Sequence, residues 1–167
     1  MLKPEKLSKQ VVDLLLPRIK DEFTAFYFYR AATNWCQDKG FFIASKFFAK
    51  ESEDELTHAK KLESYIVDWN VLPVLPTIQA PEIEFKNIAD VIQKAYEMEF
   101  ALYEAYEDTS MKIFKTSDLC VFDLLQFFRT TQKEAVAEYS DKLNVLEGTN
   151  LGDKFQMLML EKTLFKG

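Results

Sequence analysis

Residues 70–85 read Asn-Val-Leu-Pro-Val-Leu-Pro-Thr-Ile-Gln-Ala-Pro-Glu-Ile-Glu-Phe. Pro73, Pro76 and Pro81 fall in this one stretch. Each proline removes a backbone donor and fixes φ, so a helix cannot run through all three. On either side the chain is nearly free of helix breakers. Arg18 to Leu72 contains only Gly40, and Glu82 to Glu147 contains neither Gly nor Pro. The stretch is therefore a long connection between two helical blocks.

Working outward, each block divides once. Gly40 follows Asp38 and Lys39 as a helix C-terminal stop would, which predicts helices over Ser8–Asp38 and Phe41–Trp69. In the second block the apolar period breaks at Lys115-Thr116-Ser117-Asp118, where Ser or Asp can cap a new helix. This predicts helices over Asn87–Lys115 and Asp118–Leu146. Beyond Gly148, Asn150–Phe165 is rich in Leu and Met and gives a short fifth helix. Pro17 predicts a kink or a fresh start inside the first helix. A helix of about 28 residues spans ~42 Å, and a 16-residue extended linker reaches ~53 Å, enough to return along a whole bundle. The expected fold is all-α: a four-helix bundle with one long crossover between helices two and three, which then run parallel, and a short C-terminal helix.

Composition agrees and narrows the function classes. At 167 residues the chain suits one domain, spanning 1–167, with the bundle over 8–146, the crossover over 70–85 and the fifth helix over 150–165. Hydrophobic residues at 48% exclude a disordered chain, and 4 Gly with 5 Pro are too few for an all-β protein. A net charge of -6 disfavours nucleic acid and suits metal cations. The longest apolar run near the start, Val11 to Leu16, is interrupted by Asp13, so neither a secretory signal nor a membrane span is expected. The expectation is a cytoplasmic protein whose mature chain starts near Met1. Cys36 and Cys120 match no paired motif and read as two reduced, mostly buried thiols.

Polar residues interrupt the predicted core at matching places. On the second helix, Phe48, Leu62, Tyr65, Ile66 and Trp69 trace an apolar stripe, and Glu55 and His58 lie on it. They form Glu-x-x-His, whose i, i+3 spacing puts both side chains on one face, and His58 is the only histidine. On the first helix Glu22 lies amid Ile19, Phe23 and Phe26, with Tyr29 seven residues further along the same face. Glu22 is 17 residues before Lys39 and Glu55 is 16 after it, so a hairpin brings them level. The same reasoning about the turn at Thr116 and Ser117 pairs Glu99 with Gln132. Three carboxylates converging in a bundle core repel one another and lose hydration, a cost that two divalent cations remove. Oxygen-rich ligation with one imidazole suits iron, manganese or zinc. Tyr29 is either a core tyrosine with a bonded hydroxyl or a catalytic group with a redox or ligand-positioning role.

These residues resemble the non-haem, bacterial-type ferritins over nearly the whole chain: Glu22 with Tyr29, the run Asp54-Glu55-Leu56-Thr57-His58, Glu99 and Gln132. The resemblance implies a di-iron ferroxidase centre. In it Glu22 and His58 hold one iron, Glu55 bridges, Glu99 holds the second and Gln132 lies close by. It also implies Fe(II) and dioxygen or hydrogen peroxide as reactants, and a homo-oligomer, a twenty-four-subunit hollow cage. There are departures. No histidine is available for a second Glu-x-x-His on the fourth helix, and Leu56 stands where haem-binding relatives carry Met, so no haem is expected. Ala135 stands where many bacterial members carry a further glutamate, and with Asp54 and Glu134 nearby the question of an accessory third iron site stays open. Asp123 is a weak candidate for an entry pore.

The function this implies is iron storage with ferroxidase activity. Two other readings stay open at this level: a di-metal oxidase or peroxide scavenger that stores no iron, and a metal-free helical scaffold.

Overall fold

The computed structural model describes residues 7–165, so Met1 and the last two residues of the expected domain lie outside the described residues. Five helices form: α1 (Lys9–Lys39), α2 (Phe42–Asp68), α3 (Ile88–Phe114), α4 (Leu119–Leu146) and α5 (Lys154–Leu164). No strand occurs among the described residues. The starts of α1, α3 and α4 are set by side-chain caps. Ser8 accepts from Val11 N at 3.3 Å, Asn87 from Asp90 N at 2.9 Å and Asp118 from Val121 N at 3.1 Å. Gly40 ends α1 with φ 85°, a left-handed conformation that a side chain would strain, and Phe41 N closes the turn on Cys36 O at 2.8 Å. The fifth helix starts later than the sequence suggests. Asn150 folds into a turn that accepts from Gly152 N, and Asp153 caps α5 through Gln156 N at 3.1 Å.

Pro17 does not start a new helix, because α1 runs through it as one element. Pro17 and Asp13 are both exposed. The carbonyl that loses its donor therefore faces solvent, where water can replace the missing bond. Two other expectations are corrected. The buried stripe of α2 ends at Ile66, and Trp69, beyond the last turn, is 38% exposed. Cys36 is buried as expected, but Cys120, in the first turn of α4 at the end of the bundle, is exposed.

α1 packs along α2, α3 along α4, and α1 also packs on α3. The buried positions of α2 are Ala44, Phe48, Ser52, Glu55, Ala59, Leu62 and Ile66, a helical repeat with a carboxylate in its middle. α1 and α3 carry Glu22 and Glu99 in the same way, and α4 carries Gln132. This polar layer divides the core into two apolar clusters. One contains Tyr29, Trp35, Phe48, Ala95 and Tyr139, and the other contains Ile19, Leu62, Tyr106, Leu125 and Phe128. The crossover exposes Leu72, Val74, Leu75 and Ile83 and is pinned at its end by Phe85, buried edge-on against Phe28 and Trp35.

The fifth helix is tied to the bundle by one buried carboxylate. Phe41, which precedes α2, has no side-chain oxygen to cap the helix, and Glu161 of α5 supplies it instead. Its Oε1 accepts from Ile43 N at 2.6 Å and Ala44 N at 2.8 Å. A negative group at a helix N-terminus also meets the favourable end of the helix dipole. Glu161→Ala should therefore cost about 1–2 kcal/mol, as loss of a cap and two hydrogen bonds does. Urea unfolding checks this, and an unchanged midpoint would mean that solvent caps α2 equally well.

Candidate metal centre

Each helix delivers its polar residue from the middle of its buried face, so the site is as rigid as the bundle. Glu22 and Glu99 are fully buried, Gln132 is 1% exposed and Glu55 4% exposed. The expected residues come together in two groups. Glu22, Glu55 and His58 each offer one ligand atom, and these atoms lie within 4.8 Å of one another. His58 Nδ1 is 3.3 Å from Glu55 Oε2 and 3.5 Å from Glu22 Oε2. In the second group, Gln132 Nε2 donates to Glu99 Oε2 at 2.6 Å and the Tyr29 hydroxyl donates to Glu99 Oε1. Tyr29 is thus a fully buried core tyrosine whose hydroxyl is bonded to a carboxylate, an arrangement that agrees with both readings the sequence leaves open. Asp54 is ion-paired with Lys50 and Glu134 is exposed, and neither joins a three-ligand group among the described residues. Asp123 is exposed on α4.

The electrostatics describe a site short of positive charge. Burial, and then the charge of Glu22 and a hydrogen bond with it, pushes the Glu55 carboxyl well above the usual range. Burial also raises Glu99, against the lowering effect of its bonds from Tyr29 and Gln132. Burial pulls the His58 imidazole down most strongly of any single cause, but Glu22, Asp54 and Glu99 together hold it above its ordinary value. Two carboxyls whose charged forms burial disfavours, beside an imidazole whose charged form the carboxylates favour, are what a site shows when a cation is the missing partner. Glu22 Oε2 is buried and has no hydrogen-bond partner among the described residues, with His58 Nδ1 3.5 Å away. A carboxylate oxygen left bare beside an imidazole fits a divalent cation.

Sequence reasoning missed Tyr106. Fully buried on α3, it donates its hydroxyl to Glu22 Oε1. The available signal was its spacing, seven residues after Glu99, which repeats that of Glu22 and Tyr29. A second missed group is Glu51, one turn before Glu55, pushed up to about 7 by burial and by the Glu138 and Glu99 carboxylates.

A family model for the ferritin-like domain matches residues 12–149. The chain belongs to the ferritin family. Its relatives place it among the non-haem, bacterial-type ferritins. It is 32% identical over 143 residues to a probable bacterial non-heme ferritin-like protein of Haemophilus influenzae, covering 84% of this chain and 87% of that one. It is 29% identical over 156 residues to a bacterial non-heme ferritin of Campylobacter jejuni, covering 89% and 93%. An open-pore ferritin from the archaeon Archaeoglobus fulgidus shares the fold, with a TM-score of 0.87 at 21% identity over 97% of this chain and 99% of that one. The ferritin fold accounts for the all-α bundle, its long crossover and its short last helix. Among the described residues no helix is long and apolar enough to cross a membrane.

Glu51 gives this ferritin a pH dependence whose sign can be worked out. Its folded-state pKa of about 7 lies above its ordinary 4.5, so the folded chain binds the proton more tightly. The stabilisation is full below pH 4.5 and is lost as pH rises through 7. Metal-free Glu51→Gln should be flatter over this window and more stable at pH 8, by about 2 kcal/mol after screening of a partly exposed group. Urea unfolding at pH 5 and pH 8 measures it, and equal pH slopes for variant and wild type would remove the assignment.

Proposed function

We propose that this chain stores iron and oxidises it as it enters. The observation that carries the reading is the buried group of Glu22, Glu55 and His58, with its ligand atoms within 4.8 Å and a bare carboxylate oxygen among them. Membership of the ferritin family supports storage as the coarse function. Fe(II) is the substrate and Fe(III) the stored product. Glu22 and His58 bind one ion, Glu99 holds a second with Gln132 beside it, and Glu55 reaches both. Each Fe(II) gives up one electron. Dioxygen takes two electrons and two protons to leave as hydrogen peroxide, or peroxide takes two electrons and two protons to leave as water.

The protein's part is to hold the ligands, keep water out and move protons. Burial disfavours the charged forms of Glu55 and Glu99 in the metal-free state, and binding of two divalent ions favours them, because a carboxyl ligates in its deprotonated form. The buried carboxylates then offset the growing charge on the metals as they are oxidised. The oxidised iron leaves for a mineral core inside a closed homo-oligomer, a twenty-four-subunit cage by analogy with the family, in the cytoplasm.

Aerobic loading with Fe(II), followed by particle mass and iron per chain, tests this. The expected result is a large particle holding far more than two iron ions per chain. A small protein that stops at two ions would be a di-metal oxidase or peroxide scavenger, and one that takes up none would be a metal-free bundle.

A further inference from the structure

Glu22 on α1 and Glu99 on α3 are each followed seven residues later by a tyrosine, Tyr29 and Tyr106. The two pairs cross over: Tyr29 donates to Glu99, and Tyr106 donates to Glu22. One antiparallel register of α1 against α3 satisfies both, since each step forward on one helix is a step back on the other. With α1 antiparallel to α2 through the Gly40 turn, the same register makes α2 and α3 parallel. The phenols close the polar layer from opposite sides. Tyr29 belongs to one apolar cluster, near-parallel to Phe48 and Tyr139 at 6.0 and 6.4 Å between ring centres. Tyr106 belongs to the other, stacked on Phe128 at 4.9 Å, with the Arg18 guanidinium 5.9 Å from its ring centre.

The two carboxylates are not held equally. Glu99 has a donor on each oxygen, Tyr29 on Oε1 and Gln132 on Oε2. Glu22 has the Tyr106 hydroxyl on Oε1, while Oε2 faces His58 Nδ1 at 3.5 Å. A ring locked between Phe128 and Arg18 fixes where its O–H can point, and a carboxylate bonded at one oxygen has its other oxygen aimed. We infer that Tyr106 is a positioning residue, which turns Glu22 so that Oε2 is presented to the cation shared with His58 and Glu55. The inference rests on the metal-binding reading above. It adds that the Glu22 position depends on a single phenol, whereas the Glu99 position has Gln132 in reserve.

The test uses Co(II) as a probe, titrated without oxygen into metal-free wild type, Tyr106→Phe and Tyr29→Phe. The visible d–d absorption reports the ligand geometry and circular dichroism reports the fold. Removing one hydroxyl keeps the stacked ring, so Tyr106→Phe should fold as wild type. It should bind Co(II) about 10-fold or more weakly at one position, as loss of an outer hydrogen bond to a ligand does, with an altered d–d band. Tyr29→Phe should lose less affinity. A Tyr106→Phe titration and spectrum that superimpose on wild type would overturn the inference, as would a larger loss in Tyr29→Phe. A Tyr106→Phe chain that fails to fold without metal would make the hydroxyl structural and overturn it too. If wild type itself binds no Co(II), the metal-binding reading falls and takes this one with it, which is a different result from failure of the variant alone.

Discussion

Glu55→Ala will abolish fast oxidation of Fe(II), lowering the initial rate by about 100-fold or more, and will leave a folded chain. Ligation that stabilises developing charge is worth several kcal/mol, and each 1.4 kcal/mol is tenfold in rate. Glu55 lies within reach of Glu22 and His58 and feels the charge of Glu99, so it stands between the two groups of the centre. With the proposed ligation, its loss should affect both metal positions, whereas His58→Ala should affect one and be the milder change. Folding survives because the residue removed is a buried carboxyl whose charge is disfavoured by burial and by Glu22, not packed hydrocarbon. The metal-free variant should be as stable as wild type or slightly more so. Ferric absorbance after aerobic addition of Fe(II), with circular dichroism and size exclusion beside it, gives the result. A wild-type rate would remove Glu55 from the centre, and loss of fold would make it a structural residue.

What the sequence shows and what it hides divide by distance along the chain. The prolines of the crossover, Gly40 and the caps act within a few residues, so the four long helices are legible to within about two residues at each end. The carboxylates and Gln132 are legible because a charged or amide group in an apolar stripe is a conflict that each helix displays by itself. Hairpin geometry then levels Glu22 with Glu55 and Glu99 with Gln132 without knowledge of the fold. Tyr106 displays no such conflict, since a tyrosine in an apolar stripe reads as core. Its partner Glu22 is 84 residues away, and only the packing of α1 on α3 joins them. Glu161 is hidden for the same reason, as it accepts from Ile43 N, 118 residues earlier in the chain. The errors over Trp69 and Cys120 concern which face or end of a helix meets solvent, which depends on neighbours that the local pattern does not name.

Phe128→Ala should show the largest loss of stability, about 3–5 kcal/mol, the cost of removing a ring from a packed core that cannot fully collapse. Phe128 is fully buried and stands where the core meets the candidate metal centre. One face stacks on Tyr106 at 4.9 Å with 11° between the ring planes, and it meets the His58 ring edge-on at 6.0 Å. The cavity therefore removes the wall behind both the phenol that orients Glu22 and the imidazole. Oxidation of Fe(II) should fall as well, although Phe128 offers no ligand atom. Phe128→Leu separates the two effects. It restores most of the volume, so its stability cost should drop to about 1–1.5 kcal/mol. It cannot restore the flat face against Tyr106, so part of the loss in rate should remain. Urea unfolding and initial oxidation rates on both variants are the measurements. If Leu recovered the full rate along with the stability, packing volume alone would set the geometry of the centre, and a loss under 1 kcal/mol in the alanine variant would mean that the core closes over the gap.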